Sequence, residues 1–393
     1  MNNHLLLHLG WAAVALCAFL LGSNFLGEKE DSPETSEQKS TTVVTRISER
    51  GEEASSERKA RISARQREAT GEPHVYSPAD LATIGEEFRK AKGPLARRLA
   101  FAKILEALTP ENALELREQI VHLDHDSAEF REFHYAWGAL AGETAVLNGA
   151  ETKKRDMAAT LAGWMSADPD AALTYYNNLD ENQQRGSGMA WGAMYGLADN
   201  DPALAAQFAL NRAESGDKDA RRLINVALDA VLNSGEIGDI GSITNLIKGS
   251  ELETSAFRHV AWKLSETDPA SGVEWAQSLP EGDGKNHAVG TSFHQWAGRD
   301  PQAAATEIAS ITNPSERDAA RYGYATRVAH DDPVTGIEWA STINDENSRN
   351  RALYDTARTY FRKDREAATA WLPNSGLPAE IQQKLTERIN RKR

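Results

Sequence analysis

At 393 residues, with 40% apolar and 26% charged side chains, the chain has an ordinary globular balance and enough apolar material for a continuous core. Its net charge of -14 is not confined to a tail: 47 acidic and 35 basic residues fall in 78–393, and a field of that sign repels phosphate backbones, which argues against nucleic acid as a partner. One cysteine, Cys17, permits no disulfide within the chain, so cysteine usage is silent on the redox compartment.

Residues 5–26 are apolar apart from His8, Ser23 and Asn24. A helix of that length, at about 1.5 Å per residue, crosses a bilayer's hydrocarbon core. Residues 1–27 therefore read as an uncleaved membrane anchor, since no Lys or Arg precedes the run and no small-x-small site follows it cleanly; secretion after signal cleavage is the alternative. Leu16 before Cys17 disfavours lipidation. Glu28, Glu30 and Asp31 crowd one side of the run, which puts the bulk of the chain outside the cytoplasm, on the periplasmic side of a bacterial inner membrane. Residues 28–77 are rich in Ser, Thr, Glu, Arg and Lys with almost no large apolar side chains, the composition of a disordered linker.

Ser77-Pro78 carries a helix start signal, followed by Leu81, Ile84 and Phe88 at helical spacing. Breaks at Gly93-Pro94 and Thr109-Pro110 separate one apolar stripe of Leu95, Leu99, Ala102, Ile104, Leu105 and Leu108 from another of Leu114, Leu116, Ile120 and Leu123. Residues 78–150 are expected to form an irregular helical cap, because the terminal unit of a stack has one face toward solvent.

Over 151–393 the dipeptide Asp-Pro recurs at Asp168, Asp201, Asp268, Asp300 and Asp332, in steps of 33, 67, 32 and 32 residues. The long step holds a worn copy near Asn233, and Asp364-Arg365 is a sixth copy without its proline. Such a period marks a helical repeat array. With Asp as position 0, it is suited to be an N-cap and Pro a first helical residue. Position 4 is small throughout (Ala172, Ala205, Gly272, Ala304, Gly336 and Ala368), and with positions 7 and 11 it is expected to form one buried stripe down a three-turn helix. A second helix follows in each unit, with an apolar residue four positions before the next Asp. The predicted fold is all-α: an α-solenoid of two-helix repeats.

Position 17 is basic in five copies: Arg185, Lys218, Lys285, Arg317 and Arg349. A cation in a helix's first turn opposes the macrodipole and wants a partner; the favoured partner is an acid of the same or next unit, such as Glu274 or Glu338, and the other reading is a ladder for an acidic ligand. The pattern D-P-x-x-A-x-x-W-A-x-x-L, at Asp268 to Leu279 and Asp332 to Ile343, resembles the tandem helical repeats of uncharacterised bacterial proteins of verrucomicrobial and planctomycete type. In period and two-helix layout it is similar to tetratricopeptide and Sel1-like repeats, without that family's Gly and Tyr in register. The resemblance implies an α-solenoid and brings no catalytic residues.

No residue pattern is assigned to catalysis, metal or cofactor. His122, Asp124, His125 and Asp126, with His134 nearby, lack H-E-x-x-H or paired cysteines and read as a solvated helix end. Gly188 ends a Gly-Ser-Gly that is no nucleophile elbow, and there is no phosphate-binding glycine motif. His259, His287, His294 and His330 read as packed or surface histidines. Most of the nine tryptophans read as core, whereas an exposed row of them would signal peptide or sugar binding. Arg388, Arg391, Lys392 and Arg393 form a basic end after the last helix. The leading expectation is a membrane-tethered scaffold, not an enzyme, that binds a protein or peptide partner on its concave surface. An α/α-toroid hydrolase with a central carboxylate pair and an envelope spacer without a specific ligand are the alternatives, and the oligomeric state is left open.

Overall fold

The computed structural model describes residues 75–151, 156–185, 188–234 and 238–390. The apolar run, nearly all of the linker, and Arg391, Lys392 and Arg393 lie outside the described residues. Among the described residues there is no strand, and no helix is long and apolar enough to cross a membrane.

The chain begins with α1 (Pro78–Lys90), α2 (Pro94–Ala107), α3 (Ala113–Ile120), α4 (Ala128–Ala141) and α5 (Glu143–Glu151). Ser77 closes a capping box with Asp80, each satisfying the other's backbone amide. Their core gathers Leu81, Phe88, Phe101, Ile104, Leu116, Phe133 and Trp137. The stripe expected on α2 is corrected in part: Ile104 and Leu108 are buried as expected, but Leu95, Leu99 and Ala102 are exposed, and Ala100, Phe101 and Ala107 complete the inward edge. Phe101 decides the rotation, because burying its ring removes more apolar area from water than either leucine. On α3, Leu114 likewise faces out while Leu116 and Ile120 face in.

It continues as α6 (Met157–Ala167), α7 (Pro169–Asn178), the short α8 (Glu181–Arg185), α9 (Met189–Asn200), α10 (Pro202–Glu214), α11 (Ala220–Ser234), α12 (Gly238–Leu246), α13 (Glu253–Thr267), α14 (Pro269–Ser278), α15 (Asp283–Arg299), α16 (Pro301–Ser310), α17 (Pro314–Val328), α18 (Pro333–Ser341), α19 (Glu346–Lys363), α20 (Arg365–Trp371) and α21 (Ala379–Asn390). The second helices α6, α9, α11, α13, α15, α17 and α19 pack one on the next in chain order. The first helices α7, α10, α14, α16 and α18 each lean on the two second helices that flank them. This all-helical, neighbour-on-neighbour packing is compatible with an α-solenoid. One core cluster runs from Val146 to Tyr324, and a further cluster from Ala325 to Leu385 closes the carboxyl end.

Five of the six repeat Asp residues are one-residue corners; at Asp332 a turn over 329–331 comes between α17 and the Asp. The repeat Asp backbone stays extended, with φ between -145° and -135° and ψ between 80° and 110° at all six positions. Its N–H donates to the carbonyl four residues back, closing the second helix, at 2.7–2.9 Å. Its carboxylate accepts from amides of the first turn of the next helix. Position 4 packs back across that corner: a Cβ on Gly272 would overlap the Ser265 hydroxyl, and one on Gly336 would lie 2.6 Å from the Ala329 Cβ. Position 11 is corrected in part. Leu279 and Ile311 are buried, yet each sits in extended backbone just past its helix, so these first helices end one residue before position 11. The worn copy is α12, whose Ile240 and Ile243 are buried.

Candidate functional site

Packing leaves an open stripe on the second helices α9, α11 and α13. On α9 almost every side chain is covered, and Trp191, Tyr195 and Asp199, spaced by four, line the uncovered edge. The corresponding edges of α11 and α13 present Arg222 and Asp229, then His259, Trp262 and Lys263. Tyr195 is 56% exposed and Trp262 36%, large values for aromatic rings on helices so deeply packed. Trp191 and Tyr195 lie 6.2 Å apart by ring centroid, and the Arg222 guanidinium sits 5.7 Å above the Trp191 ring. The Lys263 ammonium is 5.1 Å from the Trp262 ring. With α11 between them, Trp191 and Trp262 stand two helix spacings apart, about 16 to 20 Å.

Polar contacts knit this face across repeats. Ser166 and Tyr135 donate to Asp199, at 2.8 and 2.7 Å. His259 meets Asp229 at 2.8 Å, and Lys263 reaches the same carboxylate. His294 faces Thr326, and Tyr322 donates to Asp355 at 2.7 Å while Arg351 covers its ring. Several of these partners are 30 to 33 residues apart, one repeat. Burial, with the adjacent Asp355 carboxylate, pushes the Tyr322 phenol up to about 12. Burial also lowers His287 and His294 from the usual histidine value, helped at His287 by Arg258 and Arg351 and at His294 by Arg327. The result is a surface of aromatic rings set among fixed charges.

The basic residues at position 17 divide. Arg185 pairs with Glu181, and the buried Lys285 pairs with Glu281 and, across the repeat, Glu316. Arg349 donates instead to the carbonyls of Ile343 and Asn344, and Arg317 makes a long 3.4 Å contact with the Ile311 carbonyl. The acids proposed from sequence, Glu274 and Glu338, pair with none of them. A cation here binds the carbonyls released where the first helix ends, which sequence alone did not suggest. Lys218 is exposed.

The histidine cluster separates. His134 is fully buried among Phe130, Phe133 and Trp137; its Nδ1 donates to the Phe130 carbonyl, and its Nε2 faces Arg117 and Asp156. Arg117 clamps the Asp156 carboxylate through two nitrogens. Burial opposes ionisation of Asp156, and His134 and Arg117 outweigh it, leaving the carboxyl at about 2. This charged knot joins α3, α4 and the start of α6. His122 packs near Phe88. Asp124, His125 and Asp126 keep ligand atoms within 4.8 Å of one another on an exposed turn, where Asp124 already accepts the Asp126 amide.

A pocket of about 240 Å³ opens beside α7, α8 and α10. Its floor is Arg212, held near the rings of Tyr176 and Phe208, bonded to Tyr176 Oη and paired to Asp217 through Nε and Nη2. Burial keeps the Tyr176 phenol at about 12 despite that arginine. With its three nitrogens already engaged, Arg212 reads as a structural clamp. Comparison of the chain with protein-family models, with curated proteins and with solved structures finds no match.

Proposed function

We propose that the chain is an α-solenoid scaffold that binds a protein or peptide partner along the open edges of α9, α11 and α13. The observation that carries this reading is the exposure of Tyr195 and Trp262 on the open edges of α9 and α13. Apolar rings left in water on a rigid layer mark recognition surfaces, and aromatic anchors dominate binding energy where charges surround them. The pairs Arg222–Trp191 and Lys263–Trp262 hold those rings in place, so a partner would meet a preformed surface. No chemistry is assigned to this face. The reading extends to a chain tethered at a bacterial inner membrane through residues 5–26, supported by their apolar run alone.

A photoreactive side chain at Tyr195 of the full chain in its own membranes tests both parts. The expected result is one discrete adduct, lost when Trp262→Ala is added and absent from the same probe at Glu274 on α14. Equal adducts from both positions, or none, would leave a spacer without a specific partner. Alkaline carbonate extraction then separates an integral anchor, which stays in the pellet, from a cleaved leader, which releases the chain.

A further inference from the structure

A groove of about 390 Å³ lies between α16, α17 and α18, on residues other than those of the partner-binding face. Its floor is Ala305, Ile308 and Ala309, one wall is Trp339, and Arg317 and Arg321 line it from α17. The neighbouring units explain why it is open. At position 5 the unit before has Val273 and the unit after has Ile337, where this one has Ala305; at position 21 they have Val289 and Leu353, where this one has Arg321. Val273, Val289 and Leu353 are buried apolar fillers. This unit has therefore exchanged both fillers, one for a methyl group and one for a guanidinium.

Arg317 is not fully consumed by the fold. Arg317 Nε is buried with no hydrogen-bond partner among the described residues, and its Nη1 has only the 3.4 Å contact to the Ile311 carbonyl. Its Nη2 makes no hydrogen bond among the described residues and is not among the buried atoms, which leaves it as the donor on the groove side. Arg321 is held by the Thr342 carbonyl at 2.6 Å and loosely by Asp318 at 3.5 Å, while Asp318 is itself taken by the amides of Asn344 and Asp345. Trp339 is braced by Tyr324, with ring centroids 4.3 Å apart. The exposed Glu338 on the rim makes no ion pair among the described residues and disfavours a second negative charge on the occupant.

We propose that this groove binds a single carboxylate carried on a short apolar stem. The carboxylate takes the Arg317 Nη2 and the Arg321 guanidinium, and the stem lies over Ala305 and Ala309 against Trp339. The free carboxyl end of a peptide with an apolar last residue and a small free acid share that chemistry.

Titration calorimetry on the full chain tests it with hexanoate, with a pentapeptide ending in leucine, and with the amides of both. At least one acid should bind, with its amide about tenfold weaker, as loss of a charge-assisted bond requires. Binding of the peptide alone identifies a chain end as the source, and binding of hexanoate alone a free acid; either supports the site. Ala305→Ile and Arg321→Leu install side chains that the next unit accommodates, so both should fold. Each should weaken binding about tenfold, Ala305→Ile with the melting temperature unchanged or raised. Arg317→Lys keeps the charge, removes the Nη2 donor and should weaken binding similarly, whereas Tyr195→Ala should leave it intact. No binding by either acid, equal binding by the amides, or unchanged affinity in Ala305→Ile or Arg317→Lys overturns the proposal.

Discussion

The repeat aspartate performs two tasks with one residue. Its backbone N–H terminates one helix while its carboxylate starts the next, and the proline after it lacks only an amide that would have been orphaned. The carboxylate role was legible in the sequence, because Asp-Pro before a helical period has few other readings. Its role as the end of the preceding helix was not legible, since any residue can supply a backbone N–H. Asp300→Ala should cost about 0.5 to 2 kcal/mol, seen as a lower urea midpoint, because it removes the bond to the Ala303 amide and nothing else. Position 17 was half legible. That a cation there needs a partner follows from the helix dipole, but Arg349 found carbonyls rather than an acid because the first helix ends at Ser341, before Ile343 and Asn344.

At the scale of helices, glycine sets how closely the second helices pack. A Cβ on Gly163 would overlap the Tyr135 carbonyl, one on Gly138 the Thr160 carbonyl, and one on Gly323 the Gly290 carbonyl. Interior glycines lower helix propensity by about 1 kcal/mol each, so in a sequence they resemble weak points rather than contacts. Gly323→Ala should separate α15 from α17 at an overpacking cost of about 1 to 3 kcal/mol, in contrast to the gain expected at an exposed helical glycine. Denaturant melts of the two kinds of variant distinguish these outcomes. The rotation of α2 failed to be legible for a related reason. Leu95 and Leu99 fit a helical stripe as well as Phe101 and Ile104 do, and the choice between them is made by what α2 packs against.

Across the whole molecule the all-helical repeat packing was legible in the sequence and the candidate site was not. Period, caps and small residues at position 4 are local signals repeated six times, and repetition makes them readable. Which edge of a second helix stays open depends on the helices on either side, and Trp191 and Trp262 look like any core tryptophan until those neighbours are placed. Stability against pH also belongs to this scale, because Asp156 ties α3 and α4 to α6. Its folded pKa of about 2 lies below the ordinary 3.8, so its contribution is complete above pH 3.8 and is lost as pH falls toward 2. The loss should be about 2 kcal/mol and should vanish in Asp156→Asn. His294 adds a milder effect at higher pH: its lowered pKa means that folding favours the neutral ring, so stability declines as pH drops below 6.5.

The most direct test of the central claim measures the affinity of the captured partner for three forms of the chain. Tyr195→Ala combined with Trp262→Ala should weaken binding by about tenfold or more with the urea midpoint unchanged, as expected when exposed aromatic anchors are removed. Asp300→Ala should lower the midpoint and leave affinity intact at temperatures where the chain stays folded. Full affinity in the aromatic double variant, or lost affinity in Asp300→Ala without loss of stability, would contradict the assignment of binding to this face and of the repeat aspartates to folding.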